Sequence, residues 1–303
     1  MLIIARTILP PVLVMIGLGM LLDRCWRMDL PTLSKITFAI FVPALVLEKI
    51  LTSNLDWGGM AAIGTFALLH VVAMGCCTLP LWLMRGPTPW RDQAPVISLG
   101  AMFFNAGNIG LPVAALAFGE AGLGVMAIVL MVQNLTSFTG GILLLDGHRA
   151  GLKTALVGLW RIPVVYAILL ALAMRALGWS LPESLMVPVG YLSDGLIPVA
   201  LVTLGVQFGR CSITGRLPAV SLAVGMRLVI SPLIAAALLW TLPLAMDPTT
   251  RAICLCAAGM PVATNVFIIA TEYDKGAELA SRMVFWSTAL SAISLPIIIA
   301  WCQ

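Results

Sequence analysis

Charge is what this sequence lacks. Only 10% of its 303 residues are Asp, Glu, Lys or Arg, while 61% are hydrophobic and the mean hydropathy is +1.06. A soluble domain of this length needs far more charge to cover its surface. The apolar surplus therefore faces lipid. Histidine is scarce too: His70 and His148 are the only two. Neither stands in a recognisable catalytic dyad or metal motif. The chain reads as no enzyme, with no cofactor, no metal and no nucleic-acid partner expected. The seven cysteines lie mostly inside apolar runs. Cys254-x-Cys256 lacks a nearby His or further Cys at ligand spacing, so they read as small buried hydrophobes. Long linkers, low-complexity tracts and soluble domains are also missing.

What is present is a succession of apolar runs broken by charge, Pro and Gly. A spanning helix takes roughly 20 residues. Ten such spans are predicted, at 2–22, 32–51, 59–83, 94–118, 122–145, 158–178, 185–208, 217–240, 250–271 and 279–301. The run from Ile8 to Leu22 has Arg6 as the only basic residue ahead of it, is followed by no small-x-small cleavage site, and ends in Asp23-Arg24-Cys25-Trp26-Arg27. It reads as a retained first helix rather than a signal peptide. The odd-numbered loops and their helix edges hold 12 of the 17 Lys and Arg residues. Those loops are expected in the cytoplasm. Both termini are then expected outside, in a multi-pass protein of a bacterial inner (plasma) membrane.

The two halves resemble each other. Gly110-Leu111-Pro112-Val113-Ala114 in the fourth span matches Gly259-Met260-Pro261-Val262-Ala263 in the ninth. Pro43-Ala44-Leu45-Val46 in the second span echoes Pro198-Val199-Ala200-Leu201-Val202 in the seventh. Both pairs fit two five-helix repeats, at 1–147 and 156–303. An odd number of helices per repeat inverts the second copy in the membrane, and Gly/Pro-broken helices at matching places point to a carrier and its binding site. In the fourth span Asn105-Ala106-Gly107-Asn108-Ile109-Gly110-Leu111-Pro112 predicts an interrupted helix, because proline removes a donor and clashes with the preceding turn. The half-helix starting near Pro112 is expected to aim its positive end into a cavity, where a carboxylate would be welcome. Gly259 to Asn265 repeats the device, with Thr264 and Asn265 beside Pro261.

Charge inside a span is expensive and usually functional. Arg227 lies near the centre of the eighth span and Asp194 about midway along the seventh. They are expected either to neutralise each other or to act in transport, Arg227 attracting an anion and Asp194 taking up a proton. His70 reads as a hydrogen-bonded core residue. Gln133, Asn134 and Gln207 read as cavity or helix-contact amides, and Glu48 and Glu272 as interfacial.

Asn105 through Pro112, Met260-Pro261 through Glu272-Tyr273, Met226-Arg227 through Ser231-Pro232, and Ser287-Thr288 through Leu295-Pro296 resemble the auxin efflux carrier family. That family includes bacterial permeases and plant carriers of the PIN type, and the resemblance covers essentially the whole chain. It implies an all-α membrane protein of ten transmembrane helices, built as two inverted five-helix repeats. It implies a scaffold from helices 1, 2, 6 and 7 and a transport domain from helices 3–5 and 8–10. Helices 4 and 9 would be broken and cross at Pro112 and Pro261. The resemblance further implies alternating access, of the elevator type, for small organic anions such as malonate, malate or auxin-like carboxylates, and a homodimer. Asn105, seven residues before Pro112, would help hold the carboxylate. Asn108, Gly110, Pro112, Pro261, Thr264 and Asn265 complete the candidate site. The segment Val262-Ala263-Thr264-Asn265 departs from the plant pattern. Sodium coupling would want clustered acidic groups where the sequence supplies mostly amides. Proton coupling through Asp194 and a receptor with a carrier fold stay open as alternatives.

Overall fold

A computed structural model describes residues 9–84, 88–146, 158–160, 162–211 and 217–302. Arg6, Arg85, His148, Arg149, Lys153, Arg161 and Arg216 lie outside the described residues. The described chain is helical, and its one pairing of extended backbone is an isolated bridge between Phe104 and Val262.

The helices are α1 (Leu9–Trp26), α2 (Leu30–Ile36 continued by Thr37–Phe41 and Val42–Thr52), α3 (Trp57–Leu83) and α4 (Pro89–Met102). Ala106–Gly110 opens α5, and the following stretch Leu111–Asp146 reverses at Gly119, where φ is 62° and ψ is −145°. This divides it into α5, ending at 118, and α6, from 120 to 146. Then come α7 (Pro163–Ala176), α8 (Glu183–Gly209) and α9 (Leu217–Gly225 continued by Met226–Ile230 and Ser231–Thr241). Last are α10 (Pro248–Ala258), α11 (Thr264–Glu272) and α12 (Ala277–Cys302). Among the described residues, six stretches are long and apolar enough to cross a membrane: Leu30–Thr52, Trp57–Leu83, Ala106–Leu145, Glu183–Gly209, Pro218–Thr241 and Ala277–Cys302. The ninth expected span is not one continuous helix, because α10 and α11 have 11 and 9 residues on either side of a break.

Helix starts carry the expected chemistry. Asp29, Asp56, Thr88 and Asp247 accept from the backbone N–H of Thr32, Gly59, Arg91 and Thr250, satisfying donors that the first turn leaves free. At Asp247, bonds from the Thr250 hydroxyl and N–H hold the carboxyl below its usual range.

Three π-turns, Thr37–Phe41, Ala106–Gly110 and Met226–Ile230, share one cause. Each is followed two residues later by a proline: Pro43, Pro112 and Pro232. A proline ring collides with the carbonyl four residues back, and widening the preceding turn relieves the clash without ending the helix.

Packing sorts the helices into two groups. α1 runs along α8, and α2 packs on α7 and α8. α3, α4, α6, α9, α10, α11 and α12 pack mainly on one another. Within the first group, α1 and α8 meet backbone to backbone. A Cβ on Gly205 would lie 2.1 Å from the Ile16 carbonyl oxygen, and one on Gly19 would lie 2.1 Å from that of Val202. Arg210 secures the end of this contact, donating from Nε to Asp23 Oδ2 (3.0 Å) and from Nη2 to Oδ1 (2.5 Å). The groups touch where α2 meets the α5–α6 stretch and where α8 meets Ala106–Gly110.

Alternate loops gather at opposite ends. At one end Lys49, Ser53, Glu120, Asp247 and Thr250 line a polar cleft of about 430 Å³, and Arg175 donates to the carbonyls of Ile50 (2.7 Å) and Ser53 (2.9 Å). At the other, Arg210 meets Asp23, and Lys275 Nζ donates to the Leu145 carbonyl (2.5 Å).

Candidate functional site

The second group is built around two helix breaks. α4 stops at Met102 and the chain runs extended through Phe103 (φ −108°, ψ 126°) before turning at Asn105. α10 stops at Ala258 and helix resumes only at Thr264. The two interrupted segments pass antiparallel, with Phe104 opposite Val262. Asn105 N–H donates to the Pro261 carbonyl (2.8 Å) and Ala263 N–H to that of Phe103 (3.0 Å). The remaining donors find side chains: Phe104 N–H reaches Gln133 Oε1 (3.3 Å) and Val262 N–H reaches Ser287 Oγ (3.0 Å). Non-helical backbone at membrane depth survives only when protein or enclosed water satisfies it in this way.

On one side of the crossing two helix starts face a common space. Asn105 caps α5 by accepting from Asn108 N–H (3.0 Å). The residue ahead of α11 is Ala263, and no side chain caps that helix, which leaves the positive end of its dipole open. Thr264 Oγ1 accepts from Asn105 Nδ2 (3.1 Å) and Asn108 Nδ2 (3.3 Å), tying the two starts together. Asn265 Nδ2 donates to Asn134 Oδ1 (3.0 Å). The space is lined by these residues with Gln133, Ser137, Leu130, the Phe103–Gly107 backbone, and Phe38 and Val42 of α2. None of the lining side chains is charged. Gln133 and Asn134 each spend their amide oxygen on a donor, and their amide nitrogens are buried without a partner. Buried donors without acceptors are costly and call for a ligand rich in acceptors. The centre of a water molecule can range over only about 20 Å³ here, room for roughly one water.

The other side of the crossing collects the two helix ends. Arg227, from the π-turn of α9, has no exposure to solvent. Its Nη1 donates to the carbonyls of Ala101 (2.8 Å) and Met102 (3.4 Å), and its Nη2 to that of Ala258 (2.8 Å). The guanidinium carbon lies 5.2 Å from the Phe104 ring centroid. Ser231 Oγ also donates to the Ala258 carbonyl (2.7 Å). Its single hydrogen is thereby used, so the 3.0 Å contact with His70 Nε2 requires the imidazole to donate. The His70 proton therefore sits on Nε2, and buried Nδ1 has no partner.

A family profile described as "Membrane transport protein" matches residues 6–299. The chain belongs to this auxin efflux carrier-type membrane transport family. Among its relatives, an "Uncharacterized transporter" of Methanothermobacter thermautotrophicus is 29% identical over 300 residues, covering 94% of each chain. A "Putative malonate transporter" of Rhizobium meliloti is 28% identical over 248 residues, covering 78% of this chain and 74% of that one. The protein is a membrane transporter and not an enzyme.

In the transporter, Asn105, Asn108, Thr264 and Asn265 come together at the space beside the crossing. Pro261 contributes its carbonyl to the bridge. Gly110 and Pro112 lie deeper along α5, buried and away from the lining. The break expected at Pro112 instead falls at Phe103–Asn105, because the π-turn absorbs the proline and lets α5 continue through it. Of the two alternatives for Arg227 and Asp194, mutual neutralisation does not occur. Arg227 is satisfied by carbonyls, whereas Asp194 lies exposed on α8 and no ion pair joins it to Arg227 among the described residues. The roles of Ser231, Ser287 and Phe104 escaped sequence reasoning. The Ser residues gave no local signal, since both act on backbone distant in sequence.

Proposed function

We propose that the transporter is a secondary carrier of small organic anions, of the size and charge of malonate, malate or auxin-like carboxylates. One observation carries this reading: two helix starts, unpaired amide donors and no charged side chain surround the space beside the crossing. Positive helix ends and N–H donors replace water around a carboxylate without a full counter-charge that would hold it too tightly to release. The name of the Rhizobium meliloti relative agrees with a small diacid.

The mechanism that fits is alternating access. The first packing group, α1, α2, α7 and α8, serves as scaffold. The second carries the site and slides against it, elevator fashion. The small volume of the site corresponds to a closed state, and Phe38 and Val42 form the scaffold wall that withdraws as the site opens. Counting each broken helix once gives ten spans in two inverted five-helix repeats, with both termini outside the inner membrane. A homodimer joined through the scaffold would shelter Asp194, whose exposure in mid-helix is unfavourable against lipid. Proton coupling through Asp194 has less support, because that residue does not line the site.

Thermal-shift screening of the purified protein against mono- and dicarboxylates tests the reading. A true substrate at about 100 times its Kd adds roughly 2.7 kcal/mol of stability. Stabilisation by neutral analogues alone, with none by any carboxylate, contradicts it.

A further inference from the structure

Resting on the organic-anion reading, we propose that Arg227 is the positioning residue that makes the crossing selective for anions. Its charge offsets the two negative helix ends behind the crossing, so that the two positive ends in front act on the substrate unopposed.

A helix terminus carries roughly half an elementary charge. The broken helices bring four termini to one small region. The starts of α5 and α11 face the substrate space, and the ends of α4 and α10 lie behind them. With nothing at the back, two ends of about −0.5 each would lie close behind two starts of about +0.5 each, and their fields would largely cancel at the substrate. Arg227 supplies about one positive charge where the negative ends converge, and each end receives its own bond: Ala101 O and Ala258 O both lie 2.8 Å from the guanidinium. No carboxylate pairs with Arg227 among the described residues, so its charge is spent on carbonyl dipoles. Pro232 and the π-turn ahead of it set the angle at which α9 delivers the side chain. Ser231, one turn further along α9, donates to the same Ala258 carbonyl, and His70 of α3 donates in turn to the Ser231 hydroxyl. Arg227 does not line the substrate space, so it acts through the helix ends and not by contact.

A purely structural brace and an electrostatic one differ in what their removal does. The test uses full-length protein in proteoliposomes and labelled malonate, malate and indole-3-acetate. Wild type, Arg227→Gln and Arg227→Lys are compared by KM, by maximal rate per carrier, and by competition from the uncharged diamide malonamide. The expected result for Arg227→Gln is a KM for the acid raised about tenfold or more, with a maximal rate within about threefold of wild type and malonamide competition unchanged. Arg227→Lys keeps the charge and is expected to hold KM within about threefold of wild type. The inference is overturned if Arg227→Gln lowers the maximal rate at constant KM, or weakens acid and diamide alike. It is equally overturned if Arg227→Lys behaves as Arg227→Gln does. If Arg227→Gln does not yield folded protein, Arg227→Lys decides alone: a KM near wild type supports the charge, and a tenfold rise rejects it. If wild type moves none of the acids, the organic-anion reading itself fails and this one with it.

Discussion

At the residue scale, the candidate site is lined by amides rather than charges. Asn105 holds three positions at once: its side-chain Oδ1 caps α5, its Nδ2 reaches Thr264, and its backbone N–H closes the bridge to Pro261. Asn105→Ala removes the first two and leaves the third. Its KM for a transported carboxylate is expected to rise about tenfold to a hundredfold, as for loss of a charge-assisted hydrogen bond. Uptake assays at matched protein levels check this, and an unchanged KM argues that the carboxylate binds elsewhere. The Asn105 cap could be read from sequence, since Asn is among the best N-cap residues. The sequence pattern placed the break at Pro112 because proline is the stronger breaker signal. The partners of Arg227 were not legible, because they are backbone carbonyls, which every residue possesses.

At the element scale, the crossing and the glycine contact make separate predictions. Phe104 and Val262 are directly opposed between two bridge bonds, so their Cα atoms should lie about 4.5 Å apart, inside disulfide range. Phe104→Cys with Val262→Cys, in a background with the seven native cysteines replaced, is expected to cross-link under mild oxidation. Free thiols in the folded double variant would show that the breaks do not meet. In the first packing group, Gly205→Leu has no room for its Cβ. The α1–α8 pair must then separate, costing at least about 1–3 kcal/mol, which size-exclusion profiles and melting curves register. Of the two, only the crossing was partly visible in advance. The second break was expected near Pro261 and lies between Gly259 and Thr264. The close approach of Gly19 and Gly205 joins residues far apart in sequence, and no local pattern announces such a pair.

At the scale of the whole molecule, the apolar composition predicted a membrane-embedded helical protein, and the described residues supply six apolar helical stretches of spanning length together with broken ones. Which helices pack together depends on long-range contacts that periodicity cannot report. The two packing groups are bridged at one end by Lys49, which lies 3.2 Å from Glu120 and 3.5 Å from Glu48. Glu120 is largely exposed, so water and salt already weaken that bridge. Glu120→Gln is expected to change the transport rate by less than about threefold, with the difference fading as salt rises. A large, salt-independent effect would mean that this contact gates the movement.

The account stands most directly on counterflow of labelled malonate, malate and indole-3-acetate in proteoliposomes holding wild type or Asn105→Ala. Accumulation of at least one acid by wild type, lost in the variant at equal reconstitution, is the predicted result. Absence of flux for every acid, or identical flux through both proteins, contradicts it.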